Sequence, residues 1–418
     1  MNENDVTVET AETNTPESKQ KTRFWNYAGI NFTYYITMAL AGFVNIFLQS
    51  IGFNAQQVGA ITAINSGVGI FASPFWGMLS DKIRSVKKVI IIALIVGPIL
   101  FALIPMASGI GTGITALFIC IPIAMFFRQP TMALLDNWML KNAAAEKLDY
   151  GALRAFGALS YALASIALGY ILPLTGVAFT FYANAVLTLP ALLLIFFSKS
   201  SAEDKGLGKK SLTFKEMRFG QLFKNYYLIT YILFSIIQRI PFQCSNTFLP
   251  FLVTSVGGNT AQMGFAMGVR AFVEIPVMLL LKPLRKRMPL YVLIMIATGL
   301  FMVECFMYSF ASSFGMIIVI SAFHGIGNGM MITAGSSYVF SLAPENLKAT
   351  SQTILGAMNS AAGIIGGLLG GALIEVIGIQ DFYLIIGIMI LAALAMFMLS
   401  FFIGEKVLKI KRPGLSLN

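Results

Sequence analysis

An all-α membrane protein, twelve transmembrane helices in two pseudo-symmetric six-helix bundles, is predicted by three features of this sequence: its apolar content, the recurrence of its apolar runs, and the alternation of charge between them. Of 418 residues, 57% are apolar and only 11% are charged, against about a quarter charged in soluble domains. Mean hydropathy is positive at +0.78. Crossing the hydrocarbon layer takes about 20 apolar residues, and each crossing must be helical because lipid satisfies no backbone polar group. Such runs recur at 24–48, 57–80, 88–108, 112–140, 151–173, 176–197, 225–253, 261–282, 290–311, 314–342, 348–376 and 380–404.

Residues 1–23 precede the first run. They are polar, acidic and then basic (Glu3, Asp5, Glu9, Glu12 and Glu17 before Lys19, Lys21 and Arg23), with no apolar segment behind a basic start. They read as a disordered cytoplasmic tail and not as a cleaved signal. Between spans, charge falls in alternate connections: Asp81, Lys82, Arg84, Lys87 and Lys88; Lys141, Glu146, Lys147 and Asp149; Lys282, Arg285, Lys286 and Arg287; Glu345 and Lys348. The intervening loops carry none until Glu375 and Asp381 flank the last. The excess of Lys and Arg on one side sets both termini and these loops in the cytoplasm and the chain in the inner (plasma) membrane. Residues 199–224, the longest polar connection, form a cytoplasmic linker between bundles at 24–198 and 225–404, and 405–418 form a second cytoplasmic tail. Two such halves are the build of a secondary transporter with its solute site near the midplane.

Other classes lose support. The 29 Lys and Arg against 18 Asp and Glu give +11, but the excess belongs to loops facing anionic lipid, not to a nucleic-acid surface. Cys120, Cys244 and Cys305 are scattered in apolar runs, and His324 is the single histidine, so neither a metal centre nor a disulfide is expected. No Ser, His and Asp set stands in a plausible order, and no enzyme is expected. The glycine strings at 361–371, 325–329 and 264–268 suit close helix packing. A phosphate-binding loop would need a preceding strand and a following lysine.

The turn Gly77-Met-Leu-Ser-Asp81-Lys82-Ile-Arg84, followed by Lys87 and Lys88, resembles the loop signature of the major facilitator superfamily. There Gly77 would allow close helix approach, and Asp81 and Arg84 would belong to a latch that holds one conformation. Further on, Asp136 in ALLDNW precedes LDYGALRAFGALSYAL, which contains Arg154, Gly157 and Tyr161. This resembles the lactose permease branch of proton symporters for oligosaccharides, nucleosides and phenylpropionate. Phe24-Trp25 and the stretch from His324 through ATSQ to ALIEVIG extend the likeness over nearly the whole chain, although spans seven to nine match loosely. The resemblance implies that Asp136 and Arg154 bind solute and that Tyr161 stacks on a sugar ring. Asn31, Asn137, Gln238, Asn246 and Asn328 are amides of the kind that bind hydroxyls. Arg128, inside a span and followed by Pro130, suggests a cavity-facing cation or an anchor in the outer half. The plainer alternatives are an Arg154 that snorkels at the inner interface and a His324 that only packs.

The second half departs from the permease pattern. His324 falls where that branch has its proton-linked histidine, but the carboxylate expected three residues on is Gly327, and Glu304 occupies the place of an arginine, with Arg270 near that of a sugar-binding glutamate. Arginine is not deprotonated in proteins, so Glu304 or Glu274 becomes the expected proton carrier, with His324 as third candidate. The function expected is proton-coupled symport of a small organic solute, a sugar or oligosaccharide first, importing it by alternating access. Aromatic organic-anion or nucleoside symport is the alternative, and a multidrug antiporter is weaker because FGALSYALASIALGY lacks the Gly-Pro signature of that class. The implied energy source is the proton gradient, with no cofactor. The implied partners are the solute and the bilayer, and the implied working unit is a monomer.

Overall fold

The computed structural model of the protein describes residues 16–109, 113–198, 225–344 and 347–413. The expected linker at 199–224 lies outside the described residues, as do 1–15 of the expected tail. Among the described residues the regular structure is helical throughout: α1 Pro16–Ala41, α2 Val44–Ser50, α3 Ala55–Ile83, α4 Val86–Ala102, α5 Ile104–Ser108, α6 Gly113–Ala145, α7 Tyr150–Thr175, α8 Phe179–Phe197, α9 Tyr226–Ser255, α10 Thr260–Leu284, α11 Leu290–Ser309, α12 Phe314–Leu342, α13 Lys348–Ile377 and α14 Ile379–Phe402.

Among the described residues eleven helical segments are long and apolar enough to cross a membrane. The twelfth, α9, has 30 residues and carries Gln238, Arg239, Gln243 and Asn246 across its middle. The expected spans are recovered with shifted ends. Span one is α1 and α2 in succession, broken at residues 42–43, and span three is α4 and α5, broken at Leu103 with a proline at the start of α5. Residues 16–23, expected in the disordered tail, are instead the first turns of α1. Proline suits a first helical position, and the segment is anchored. Arg23 pairs with Glu146, and Gln20 Nε2 donates to the Glu146 and Lys147 carbonyls at 3.3 and 3.4 Å.

Local chemistry sets the other ends. Asn225 accepts from the Tyr227 and Leu228 amides to start α9, and Asn259 with Gln262 forms a capping box at α10, each supplying acceptors to otherwise unsatisfied first-turn N–H groups. Gly257 and Gly378, at φ 76° and 80°, make the tight connections α9–α10 and α13–α14, a region that costs side-chain-bearing residues energy.

The helices group into two compact units. Unit 1 comprises residues up to Ala41, Ala72–Tyr161 and Phe181 onward to the linker; unit 2 comprises Gly42–Phe71, Ala162–Thr180 and the rest. Unit 1 has a core of Tyr27, Ile30, Tyr34, Tyr35, Ile90, Leu94, Leu135, Trp138, Met139 and Ile195. In unit 2, α12 packs on α10 and α11, and α14 on α9 and α11. All of α2 and parts of α3 and α7 lie within unit 2. Glycine makes that packing possible. A Cβ on Gly59 would meet the Gly367 carbonyl at 2.1 Å, and one on Gly264 the Ser165 carbonyl at 2.4 Å. The glycine strings at 264–268, 325–329 and 361–371 therefore pack as expected. At Gly77 a Cβ would have nothing within 4 Å among the described residues.

Candidate functional site

Unit 2 gathers ionisable and polar side chains from five helices. On α11, Glu304 and Tyr308 are four residues apart and on α12, Ser321 and His324 are three apart, so each pair shares a helix face. Arg270 comes from α10, Ser245 and Asn246 from α9, and Tyr383 from α14. His324 Nδ1 lies 3.0 Å from both Glu304 oxygens. Arg270 Nη2 donates to Glu304 Oε1 at 3.2 Å and to the Tyr308 hydroxyl at 2.9 Å, and its Nη1 donates to Asn246 Oδ1 at 3.1 Å. Ser245 Oγ donates to Glu304 at 3.4 Å, and Tyr308 and Ser321 share a hydrogen bond of 3.2 Å. The Tyr383 hydroxyl closes the group by donating to the Ser245 carbonyl at 3.2 Å.

Glu304, His324 and Arg270 are 1%, 5% and 8% exposed. Burying a lone charge in a bilayer protein costs several kcal/mol, and here the carboxylate has three hydrogen-bond partners, one of them the Arg270 guanidinium. With His324 neutral, the cluster carries no net charge, and one further proton leaves it with a single positive charge. Such a cluster can hold or pass one proton.

Beside it lies a cavity of about 470 Å³ lined by Gln238, Arg239, Phe242, Gln243, Phe301 and Asn328, with Met331, Ile332, Ser336 and Asn359 completing the wall. It falls in the range of about 300–1,000 Å³ typical of small-molecule sites. Arg239 donates to the Asn359 side-chain oxygen, and its buried Nε has no hydrogen-bond partner among the described residues. Asn328 donates to Glu274 Oε2 at 3.0 Å. Two aromatic walls touch the cluster: Phe242 stacks on His324 at 5.5 Å with 12° between planes, and Phe301 meets the same imidazole edge-on at 5.5 Å.

The structure thus brings Glu304, His324 and Arg270 together and places Glu274 on a cavity-lining amide. Asn359, Phe242 and Phe301 were not singled out for the site from the sequence. The signal is present in α9, where 238, 239, 242, 243 and 246 form one polar and aromatic stripe in an otherwise apolar helix.

Unit 1 holds the remaining expected residues. The Arg154 guanidinium lies over the Tyr35 ring at 4.4 Å, and Gly157 lets that ring approach, since a Cβ there would fall 2.6 Å from it. Asp136 is hydrogen-bonded to the Tyr150 hydroxyl. Arg128 lies over Phe101 at 4.2 Å and donates to Asn184, which donates in turn to the Thr37 carbonyl at 2.8 Å. Asn31 is fully buried, and among the described residues neither of its side-chain polar atoms nor the Tyr35 hydroxyl finds a hydrogen-bond partner. Tyr161 packs half-buried on the unit 1 core, and Asn137 is exposed. At the expected latch, Asp81 and Arg84 are both exposed, and Arg84 closes α3 at φ 55° with its amide donating to the Asp81 carbonyl at 3.2 Å. No group of three metal-type ligands occurs among the described residues.

Membrane-length helices that enclose a buried ionisable cluster beside a polar cavity define a membrane transporter. The chain belongs to the MFS_1 like family, whose model matches residues 24–385, and is a transporter, not an enzyme. It is 27% identical over 343 residues to the uncharacterized transporter YwbF of Bacillus subtilis, covering 81% of this chain and 83% of that one. It is 24% identical over 369 residues to the maltose permease of Geobacillus stearothermophilus, covering 85% and 90%. Among solved structures, the nucleoside transporter NupG has the same fold, with a TM-score of 0.74 at 19% identity over 90% of this chain and 98% of that one.

Proposed function

We propose that the protein is a proton-coupled symporter that imports a sugar or oligosaccharide by alternating access. The observation that carries this reading is the Glu304–His324–Arg270 cluster set against an amide-lined cavity in unit 2. Gln238, Gln243, Asn328 and Asn359 offer donors and acceptors to hydroxyl groups, and Phe242 and Phe301 offer faces for the apolar side of a sugar ring. Nδ1–H of a neutral His324 donates to Glu304, and an incoming proton is held as imidazolium against carboxylate. The one-charge difference between loaded and unloaded clusters distinguishes the states that the proton gradient drives apart. In unit 1, Asp136, Arg154 and Tyr161 take the solute-binding roles implied by the permease resemblance, and Arg128, Asn31 and Asn137 are further candidates. The protein works as a monomer in the inner membrane with both termini in the cytoplasm.

A nucleoside as solute is the second reading. It is supported by the paired Phe242 and Phe301 rings, which also suit a base, and by a relative named as a putative nucleoside transporter of Escherichia coli, 22% identical over 345 residues. Proteoliposomes with an internal pH dye separate the two. Maltose-type sugars should acidify the lumen on addition, and nucleosides should not. Acidification by nucleosides alone would transfer the assignment, and a response to neither would remove both.

A further inference from the structure

Phe242 belongs to both halves of the unit 2 site. Its ring is half-buried and forms part of the cavity wall, and its other side lies flat on the His324 imidazole. Phe301, 2% exposed, meets Phe242 at 5.0 Å and His324 at 5.5 Å. The two rings are in contact with the imidazole and with the cavity, whereas His324 and Glu304 are not among the lining residues. Around the pair, the other charged or titratable groups are Arg270 from α10, Cys305 and Tyr308 from α11, Cys244 from α9 and Tyr383 from α14. With Nδ1 engaged by Glu304, Nε2 is the imidazole nitrogen left to exchange its proton. An apolar ring over an ionisable group excludes the water that proton exchange requires.

We propose that Phe242 is the coupling gate of the transporter: its ring closes the His324–Glu304 pair off from the solute cavity, and a solute ring docking on its cavity side moves it aside. The assignment rests on the symport reading and adds the residue that makes proton exchange conditional on solute. Solute-free protein then holds its proton, or its lack of one, through the conformational cycle, which prevents leak. The solute that opens the gate offers a flat ring face, so rigid ring compounds trigger proton exchange and acyclic polyols of equal hydroxyl count do not.

His324 is the only histidine in the chain, so its accessibility can be read directly. Full-length protein in proteoliposomes is treated with diethyl pyrocarbonate, and carbethoxylation is followed by the mass of the peptide bearing His324. In parallel, proton leak under an imposed pH gradient is measured without solute. Phe242→Ala should lose the protection of His324, so that it is modified faster than in the wild type, and should create a solute-independent leak. Phe242→Leu, which keeps apolar bulk, should leave both near the wild-type values. Phe242→Val serves as a second truncation should the alanine variant fail to assemble, and it should behave as a weaker alanine. Unchanged modification and leak in the truncated variants would overturn the gate. Faster modification without leak would also overturn it, since Phe242 would then cover His324 without controlling a proton. In that case an intact solute-evoked acidification by maltose or uridine in the wild type leaves the symport reading standing, and its absence removes that reading too.

Discussion

Gly59→Ala places a methyl group 2.1 Å from the Gly367 carbonyl oxygen and close to the Gly371 Cα. Ordinary contact begins near 3.4 Å, so α3 and α13 must separate by about an ångström, and neither obstacle is a side chain able to rotate away. Overpacking of this kind costs about 1–3 kcal/mol. The change also brings a gain, because alanine is better than glycine in a helix by about 0.8–1.0 kcal/mol. The obstruction is backbone on both sides, which puts the cost at the upper end, and the clash prevails by about 1–2 kcal/mol, a factor of about 5–30 in a local opening equilibrium. Amide hydrogen exchange of residues 363–371 in detergent should quicken by that factor. Gly77→Ala is the internal control: with nothing within 4 Å of its Cβ, only the helix-propensity gain applies, and exchange should be unchanged or slower. Exchange in 363–371 that is unaltered or slowed by Gly59→Ala would refute glycine-dependent packing of α3 on α13.

Arg270→Gln removes one partner of a buried ion pair and should lower stability by about 3–5 kcal/mol, whereas the double change Arg270→Gln/Glu304→Gln should recover most of the loss, as read from thermal unfolding in detergent. Glu375 accepts from the Ala55 amide at the start of α3 at 2.9 Å; Glu375→Ala removes this helix-start contact at a cost of about 0.5–2 kcal/mol, visible as faster exchange of residues 55–60. Arg239→Gln and Asn359→Ala should each weaken solute binding about tenfold, since hydrogen bonds to charged groups are worth about 1.5–3 kcal/mol, with little change in unfolding temperature; equal binding in calorimetry would remove both from the site.

Much of the fold was legible in the sequence because the bilayer permits one solution, and apolar run length reads it directly. The spans at 290–311, 314–342 and 348–376 fall within a few residues of α11, α12 and α13. What was missed depends on tertiary partners. Helix α1 begins at Pro16 because Arg23 and Gln20 reach the end of α6, a contact separated by more than 120 residues. Gly59, in no recognisable motif, makes the closest approach among the described glycines, because its partner Gly367 lies more than 300 residues away in the chain. Within the site, charge made the cluster legible: Glu304, Arg270 and His324 stand out in apolar runs. Phe242 and Phe301 did not stand out, since one phenylalanine among 35 carries no sign of the imidazole it covers.

The most direct test of proton coupling is transport by Glu304→Gln, whose amide imitates a permanently protonated carboxylate and leaves the cluster with the single positive charge of Arg270. In proteoliposomes, exchange of labelled sugar between equal pools never requires deprotonation and should persist near the wild-type rate. Accumulation driven by an imposed pH gradient should fall to the equilibrium level. Accumulation in Glu304→Gln equal to the wild type would contradict the assignment of the proton to the Glu304–His324 pair.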